Sequence, residues 1–464
     1  MDKTTQSSRR EFLKLATVSA VVAGTSKKVF GLEWDREIRP DPPRAVAAGD
    51  RIGLAAIGIG GQGSYDTTTA IKVPGVELVA VADVYDGRLM RAKEVYGEKV
   101  FTSRDYREVL ARPDVDAVII GTPDHWHAQV SIDAMEAGKD VYCEKPMVHS
   151  VAEGYRVIEA QRKTGRIFQV GSQRVSSIVY RKAKELLASG AIGELNLVEA
   201  WWNRNSAIGA WQYSIPPDAS PQNIDWDRFL GKAPKIPFEP IRLFRWRNYQ
   251  DYGTGVAGDL FVHLFSGLHY IAGTAGPTRV MTTGGLRYWR DGRDVPDVML
   301  GLYDYPRSST LPAFNLSLKV NFADGEGETT GFRFVGSDGI MTVGSEVSVT
   351  RKTRPKEPGY TIGTFPKTVQ EAFLKEYRSK YPQGKPQLDP TSEETYRPPN
   401  GYSESLDHLT NFFESVRSRA PLVEDSVFGL RAAGPALLSN LSYFENRPYL
   451  WDPDQLKVKG DAHT

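Results

Sequence analysis

The nine residues Ala55 to Gly63, AAIGIGGQG, constrain this chain more than any other stretch. An apolar run, Ile52 to Ile57, predicts a β-strand that feeds straight into Gly58, Gly60 and Gly63. At this spacing the first glycine permits a tight turn, the second lets backbone approach a pyrophosphate, and the third lets the next helix pack closely. The N–H groups opening that helix, including those of Gly61 and Gln62, then face the phosphates. Glycine-rich turns are common, and a plain strand-turn-helix is the alternative reading. What favours a dinucleotide is a second apolar strand, Val76 to Ala82, ending in Asp83 twenty residues after Gly63.

Fifty-eight Lys and Arg against 57 Asp and Glu, with no block of one sign, argue against nucleic acid as the main ligand. A length of 464 residues is enough for two domains with accessories. A single cysteine, Cys143, excludes an intrachain disulfide framework and a cysteine-cluster zinc site, and no metal site is expected.

Residues 50–172 alternate strand and helix patterns, which predicts a parallel sheet covered on both faces. The strand Val115 to Ile120 ends in Gly121-Thr122-Pro123-Asp124-His125-Trp126-His127, and the strand Asp140 to Cys143 ends in Glu144-Lys145-Pro146. In open parallel sheets ligands sit beyond the carboxyl ends of strands, so both segments are expected at the cofactor crevice. Pro146 biases Lys145 to an extended conformation. Residues 278–351 read as successive strands with short polar turns, implying a mostly antiparallel sheet. The fold class expected is therefore α/β: an N-terminal doubly wound Rossmann domain followed by an α+β domain, residues 173–420, with a large, mostly antiparallel open sheet. Residues 352–400 read as an irregular surface insertion. Two helices, Ser403 to Arg419 and Asp425 to Phe444, are expected to return toward the first domain, with 421–464 as a C-terminal helix and tail.

These motifs, Gly58-x-Gly60-x-x-Gly63, Thr122-Pro123-x-x-x-His127 and Ala137-Gly138-Lys139-x-Val141-x-Cys143-Glu144-Lys145-Pro146, resemble in order and spacing the Gfo/Idh/MocA family of oxidoreductases. Leu187-x-x-Gly190-x-Ile192-Gly193-Glu194 followed by Leu195 to Trp202 resembles its helix leading into the first strand of the second sheet. The resemblance implies an NAD(P)-dependent enzyme with a sugar or glycoside substrate. It also implies that Lys145, with Asp259 and His263 of the expected helix Gly253 to Ile271, handles the substrate hydroxyl. By spacing alone, Asp259 and His263 share a helical face, where one can orient the other, and a capping Asp with a buried, satisfied His is the alternative. On the family reading His263 is the general base, Asp259 sets its orientation, and Lys145 polarises the hydroxyl or shuttles its proton. An acidic residue common in the family three positions after the His is Ser266 here, and His269 adds a second imidazole.

The expected cofactor contacts are Gly58, Gly60, Gly61, Gln62, Gly63, Asp83, Thr122, Pro123, His127, Glu144 and Lys145. His127 lines the nicotinamide pocket on one reading and is a structural helix-start histidine on the other. Asp83 should accept hydrogen bonds from the adenosine ribose and repel a 2′-phosphate, favouring NAD over NADP, while Arg88 keeps NADP open. Arg245, Trp246, Asn248 and Tyr249 offer the aromatic faces and polar edges that suit carbohydrate. Asp225-Trp226-Asp227 with Phe229-Leu230-Gly231 resembles the exported branch of the family.

Ser8-Arg9-Arg10-Glu11-Phe12-Leu13-Lys14 and the weakly apolar run Leu15 to Gly24 resemble a twin-arginine export signal, segment 1–31, with a linker at 32–49. An amphipathic extension with a chance Arg pair is the alternative. The export reading implies the twin-arginine machinery as a partner, a periplasmic location and no stable membrane insertion afterwards. With no recycled nucleotide pool there, the cofactor should be tightly held and regenerated in each cycle. Two redox-neutral routes fit: oxidoreduction between sugars, and a glycosidase working by C3 oxidation, elimination and re-reduction. Passing electrons to another acceptor is a third route. A non-catalytic carbohydrate or nucleotide binder on the same fold is the competing class. The second sheet also offers a face for homo-oligomer formation.

Overall fold

The first sheet forms as the alternating pattern predicts. Six strands, β1 (Ile52–Ile57), β2 (Val76–Ala82), β3 (Phe101–Ser103), β4 (Ala117–Ile120), β5 (Asp140–Cys143) and β6 (Phe168–Val170), pair in parallel in the order β3-β2-β1-β4-β5-β6. Helices Gly61–Ala70, Asp86–Tyr96, Asp124–Glu136 and Val151–Thr164 connect them. Every residue of β4 and β5 is buried, as strands covered on both faces must be. Strand order reverses between β1 and its neighbours β2 and β4, which is the switch point where such sheets bind ligands. The protein is seen here as a computed structural model, which describes residues 50–351, 359–380 and 392–460. The export-signal segment 1–31 and the linker 32–49 lie outside the described residues.

The second sheet has ten strands. β7 (Leu195–Asn203), β8 (Arg279–Gly285), β9 (Val298–Tyr305), β10 (Phe314–Asn321), β11 (Thr329–Gly336), β12 (Gly339–Val343), β13 (Val347–Arg351), β14 (Ser392–Tyr396), β15 (Tyr449–Asp452) and β16 (Lys457–Val458) lie in the order β14-β13-β12-β11-β7-β10-β9-β8-β15-β16. All pairs are antiparallel except β7 with β10. The first strand in sequence thus lies at the centre. Alternation of buried and exposed residues along β9 and β10 leaves one face open, and exposed Met281, Leu300 and Leu302 lie on it.

Two expectations change. Part of the expected insertion is ordered structure: a helix at Lys367–Lys380, and β14, which pairs with β13 to extend the sheet. The helix Glu404–Ser418 returns to the first domain as expected, its Leu409, Phe412 and Phe413 meeting Ile52, Leu54 and Tyr142, so the second domain ends before it rather than at residue 420. Its apolar stripe covers a face of the parallel sheet. The helix Ser426–Glu445 returns as expected and bridges both domains through one continuous core that includes Leu430, Ala433 and Leu438.

Candidate functional site

The glycine loop is built by backbone contact. Gly58 has φ +81°, and a Cβ there would lie 2.6 Å from the Thr122 amide nitrogen. A Cβ on Gly63 would overlap the Gly58 carbonyl oxygen, whereas one on Gly61 would meet nothing within 4 Å. The helix Gly61–Ala70 has no side-chain cap and no acidic residue in its first turn, so its leading N–H groups are free to meet an anion. Gln62, by contrast, turns its amide to Asp66 at 2.9 Å.

Asp83 ends β2 as expected. Its carboxylate accepts from Ile59 N at 3.0 Å and Tyr85 N at 3.1 Å, which fixes it under the loop. Oδ1, which accepts from Tyr85 N, keeps a second lone pair for a ribose hydroxyl. Arg88 reaches Asp83 at 3.4 Å and flanks Gly60. Thr122, with Pro123 beside it at the end of β4, has a buried hydroxyl without a protein partner among the described residues. This cradle, open at Gly61 and edged by an orphaned hydroxyl, fits a dinucleotide.

The reactive side chains meet where β5 ends. Lys145 Nζ donates to the Asp259 carboxylate and to its backbone carbonyl, both at 2.9 Å. Asp259 rides on a π-helical turn, Ala257–Phe261, that opens the helix Val262–Ala272. Such turns recur at functional sites. Arg247 Nε also reaches Asp259 Oδ1, at 3.2 Å. Burial alone would raise the Asp259 carboxyl, but the charges of Lys145, Arg247 and Arg204 hold it far below the usual range.

Asp259 therefore does not orient His263, as the i, i+4 spacing suggested. Its carboxylate is taken by Lys145 and Arg247, and the π turn replaces the regular helix on which that spacing argument rested. His263 instead lies against Trp202, the rings tilted and their centroids 4.9 Å apart, and its Nδ1 is buried without a protein partner among the described residues. Burial, with the nearby charges of Lys145 and Arg174, keeps this imidazole neutral far below its ordinary pKa.

His127 is structural. Its Nδ1 faces the Pro146 carbonyl at 2.7 Å and its Nε2 the Thr122 carbonyl at 2.8 Å, leaving neither nitrogen for a cofactor. Two acceptors demand two donors; burial opposes the charge, but Cys143, Asp124 and the Pro146 carbonyl outweigh it and raise the imidazole to about 10. Glu144 is also turned inward, accepting from Gln173 at 2.7 Å and from Lys145 N at 3.2 Å. Burial raises both Glu144 and neighbouring Asp66, favouring a proton held between them.

The aromatic segment divides differently from expectation. Tyr249 and Asn248 are buried, and Arg245 bonds the Tyr213 carbonyl at 2.9 Å. Trp246 lies under the Arg247 guanidinium, 4.2 Å from it. Arg247, not assigned from sequence, is thus the residue of this segment at the reactive cluster. Arg204, Trp202 and Arg174 were likewise missed; they come from the end of β7 and from the turn Gln173–Ser176 and carry no local motif. Ser266 donates to the buried Glu424 at 3.2 Å, so a carboxyl from another element meets the position where an acid was missing. His269 bonds Tyr305 OH at 3.0 Å inside the core and adds no second imidazole to the site.

Residues 52–172 match the family model described as an oxidoreductase family with an NAD-binding Rossmann fold, and residues 200–283 match that of its C-terminal alpha/beta domain. An inositol 2-dehydrogenase of Salmonella paratyphi B is 39% identical over 145 residues, 31% of this chain and 43% of the relative. An alpha-N-acetylgalactosaminidase of Shewanella oneidensis is 32% identical over 236 residues, 44% of this chain and 50% of the relative. The chain thus spans about half the length of the curated relatives it matches. A levoglucosan dehydrogenase in complex with NADH and levoglucosan shares the fold, with a TM-score of 0.62 at 17% identity over 86% of this chain and 98% of that one. Both models are matched in this order, the first over the parallel sheet and the second over the helix bearing Asp259 and His263, so residues 52–172 and 200–283 carry the two domains of the Gfo/Idh/MocA family of oxidoreductases.

Proposed function

We propose that this protein is an NAD-dependent oxidoreductase of a sugar or polyol. The observation that carries the reading is the buried Lys145–Asp259 ion pair at the end of β5, with His263, its pKa lowered by burial, on the same helical segment as Asp259, and the glycine cradle after β1, one strand beyond β4 in the same sheet. Gly58, Gly60, Gly63 and Asp83 would hold the dinucleotide, whose nicotinamide supplies hydride acceptance and return when bound. Lys145, fixed by Asp259, donates a hydrogen bond to the substrate oxygen as charge develops there. His263, kept neutral, is able to accept the hydroxyl proton. Purified protein should release NAD(H) on denaturation or gain thermal stability with NAD, and should reduce NAD with a member of a sugar and polyol panel. No bound nucleotide, no shift and no turnover would refute the reading.

We further propose that the dinucleotide is retained between cycles, in keeping with export to the periplasm. Support comes from a strap, residues 212–252, tied to the loop after β2: Asp225 N donates to the Val84 carbonyl at 2.9 Å and Tyr85 OH to Asp218 at 2.6 Å. It also reaches the start of the helix Asp124–Glu136, where Trp126 Nε1 donates to the Phe229 carbonyl at 2.9 Å. Cutting these ties, as in Tyr85→Phe with Trp126→Phe, should speed loss of bound nucleotide on dialysis. The exposed apolar residues on the second sheet support a homo-oligomer, testable by sedimentation.

A second reading, the redox-neutral glycosidase, is favoured by one observation. The alpha-N-acetylgalactosaminidase covers more of this chain than the inositol dehydrogenase does. Glycoside cleavage in deuterated water separates the two: deuterium at C2 of the released sugar marks elimination, and oxidised sugar without it marks the dehydrogenase.

A further inference from the structure

Arg247 is held as a recognition group without a partner for its outer edge. Its Nε is anchored on Asp259 and its plane rests 4.2 Å from Trp246, but neither Nη atom donates to a protein acceptor among the described residues. The side chain is 21% exposed, less than is usual for an arginine whose head group relies on solvent. With no protein acceptor among the described residues, the Nη groups reach the surface of the site, where a ligand can supply the acceptors.

The surrounding charges favour an anion over a neutral hydroxyl. Asp259 Oδ1 serves two cations at once, Lys145 at 2.9 Å and Arg247 at 3.2 Å. Arg204, 7% exposed and bonded to the Gly209 carbonyl, adds a third positive charge acting on the same carboxylate. The other acids in range are committed elsewhere. Asp124 accepts from Thr254 N and Oγ1 and is shifted by burial toward its neutral form, and Glu328 accepts from Ser206 Oγ. Arg174, over the Trp202 ring at 4.5 Å, has Glu404 at 3.8 Å. Glu144 also acts on Lys145 but is turned inward to Gln173, so Asp259 is the carboxylate that bonds both Lys145 and Arg247, with the Arg204 charge acting on it as well, and positive charge remains in excess on the side of the open Arg247 edge.

We propose, resting on the sugar-oxidoreductase reading, that the substrate is a sugar acid whose carboxylate pairs with the two Nη groups of Arg247. A guanidinium edge and a carboxylate match in two parallel hydrogen bonds, a geometry that a lysine or a single hydroxyl does not reproduce. Arg247 then fixes the far end of the sugar while Lys145, linked to it through Asp259, meets the reacting hydroxyl. Hexuronates and aldonates are the simplest members of this class.

Calorimetry on the full chain loaded with NADH, using galacturonate against galactose and glucuronate against glucose, tests this directly. The acid of one pair should bind at least about tenfold more tightly than its neutral partner, and added salt should weaken only the acid. Arg247→Gln should bring the ratio toward one, and Arg247→Lys, which keeps the charge, should recover only part of it. Melting curves with and without NADH verify that each variant is folded. Equal or tighter binding of the neutral sugars, or an unchanged ratio in folded Arg247→Gln, would overturn the inference and leave the dehydrogenase standing. Failure to bind NADH, or to turn over any member of either series, would overturn both.

Discussion

The two halves of the site are made in opposite ways. The cofactor half is backbone: Gly58, Gly63 and Gly121 touch one another so closely that side chains are excluded, and Asp83 is pinned by two amides of its own neighbourhood. The substrate half is side chains brought from distant segments: Lys145 from β5, Asp259 and His263 from the helix after residue 254, Arg247 from the strap and Trp202 from β7. The first tolerates almost no substitution but carries little charge of its own. The second is an electrostatic cluster whose members set one another's protonation.

The sharpest way to break this contrast is Gly63→Ala. Overlap with the Gly58 carbonyl cannot be relieved by a rotamer, so a loss on the order of 2–4 kcal/mol in urea unfolding and loss of bound nucleotide are expected. Gly61→Ala, with open space around it, should stay within about 0.5 kcal/mol in stability and affect only nucleotide affinity. Equal damage from both would mean that backbone packing is not what the loop needs.

In the substrate half, Asp259→Asn removes the one counter-charge that Lys145 and Arg247 share. Breaking a buried pair of this kind costs about 3–5 kcal/mol, and turnover should fall by about 10²–10³-fold. Nucleotide affinity should fall less than turnover, because Asp259 reaches the cofactor half only through Lys145. If nucleotide binding fell in step with turnover, the two halves would not be separable as described.

The histidines give a pH test of the same idea. His263 has a folded pKa below its unfolded value, so it resists protonation as pH falls and adds instability only below the ordinary imidazole range. Activity dependent on neutral His263 should therefore stay level through pH 6.5, checked by kcat/KM against pH; a fall centred there would overturn its assignment. His127 is the reverse, raised to about 10, so its contribution is complete below its unfolded value and is lost as pH rises through about 10. His127→Gln should lower stability by about 1–3 kcal/mol at neutral pH, with the gap narrowing in alkaline thermal melts.

Much was legible before the fold was known. Strands β1, β2 and β5 begin and end where their apolar runs do, and Lys145, Asp259 and His263 all reach one place. What misled was local spacing: a separation of four positions between Asp259 and His263 suggested a pair, but a lysine 114 positions away claims the carboxylate. Likewise Asn248 and Tyr249 looked suited to carbohydrate, yet burial removes them, while Arg247 between them and Trp246 faces the cluster.

The amino-acid sequence by itself determined the parallel sheet, the glycine cradle and the acidic strand end beside it. Each is signalled locally, by period, glycine placement and turn chemistry, even where the contacts that complete it, such as Gly58 against Thr122, come from farther along the chain. Only the tertiary structure decided which cation neutralises Asp259, that His127 is spent on two carbonyls, that Glu424 meets Ser266, and that Arg247 keeps an open edge. Those outcomes depend on burial and on groups meeting across as many as 158 positions of sequence, and the energy of a charge is set by its surroundings in space.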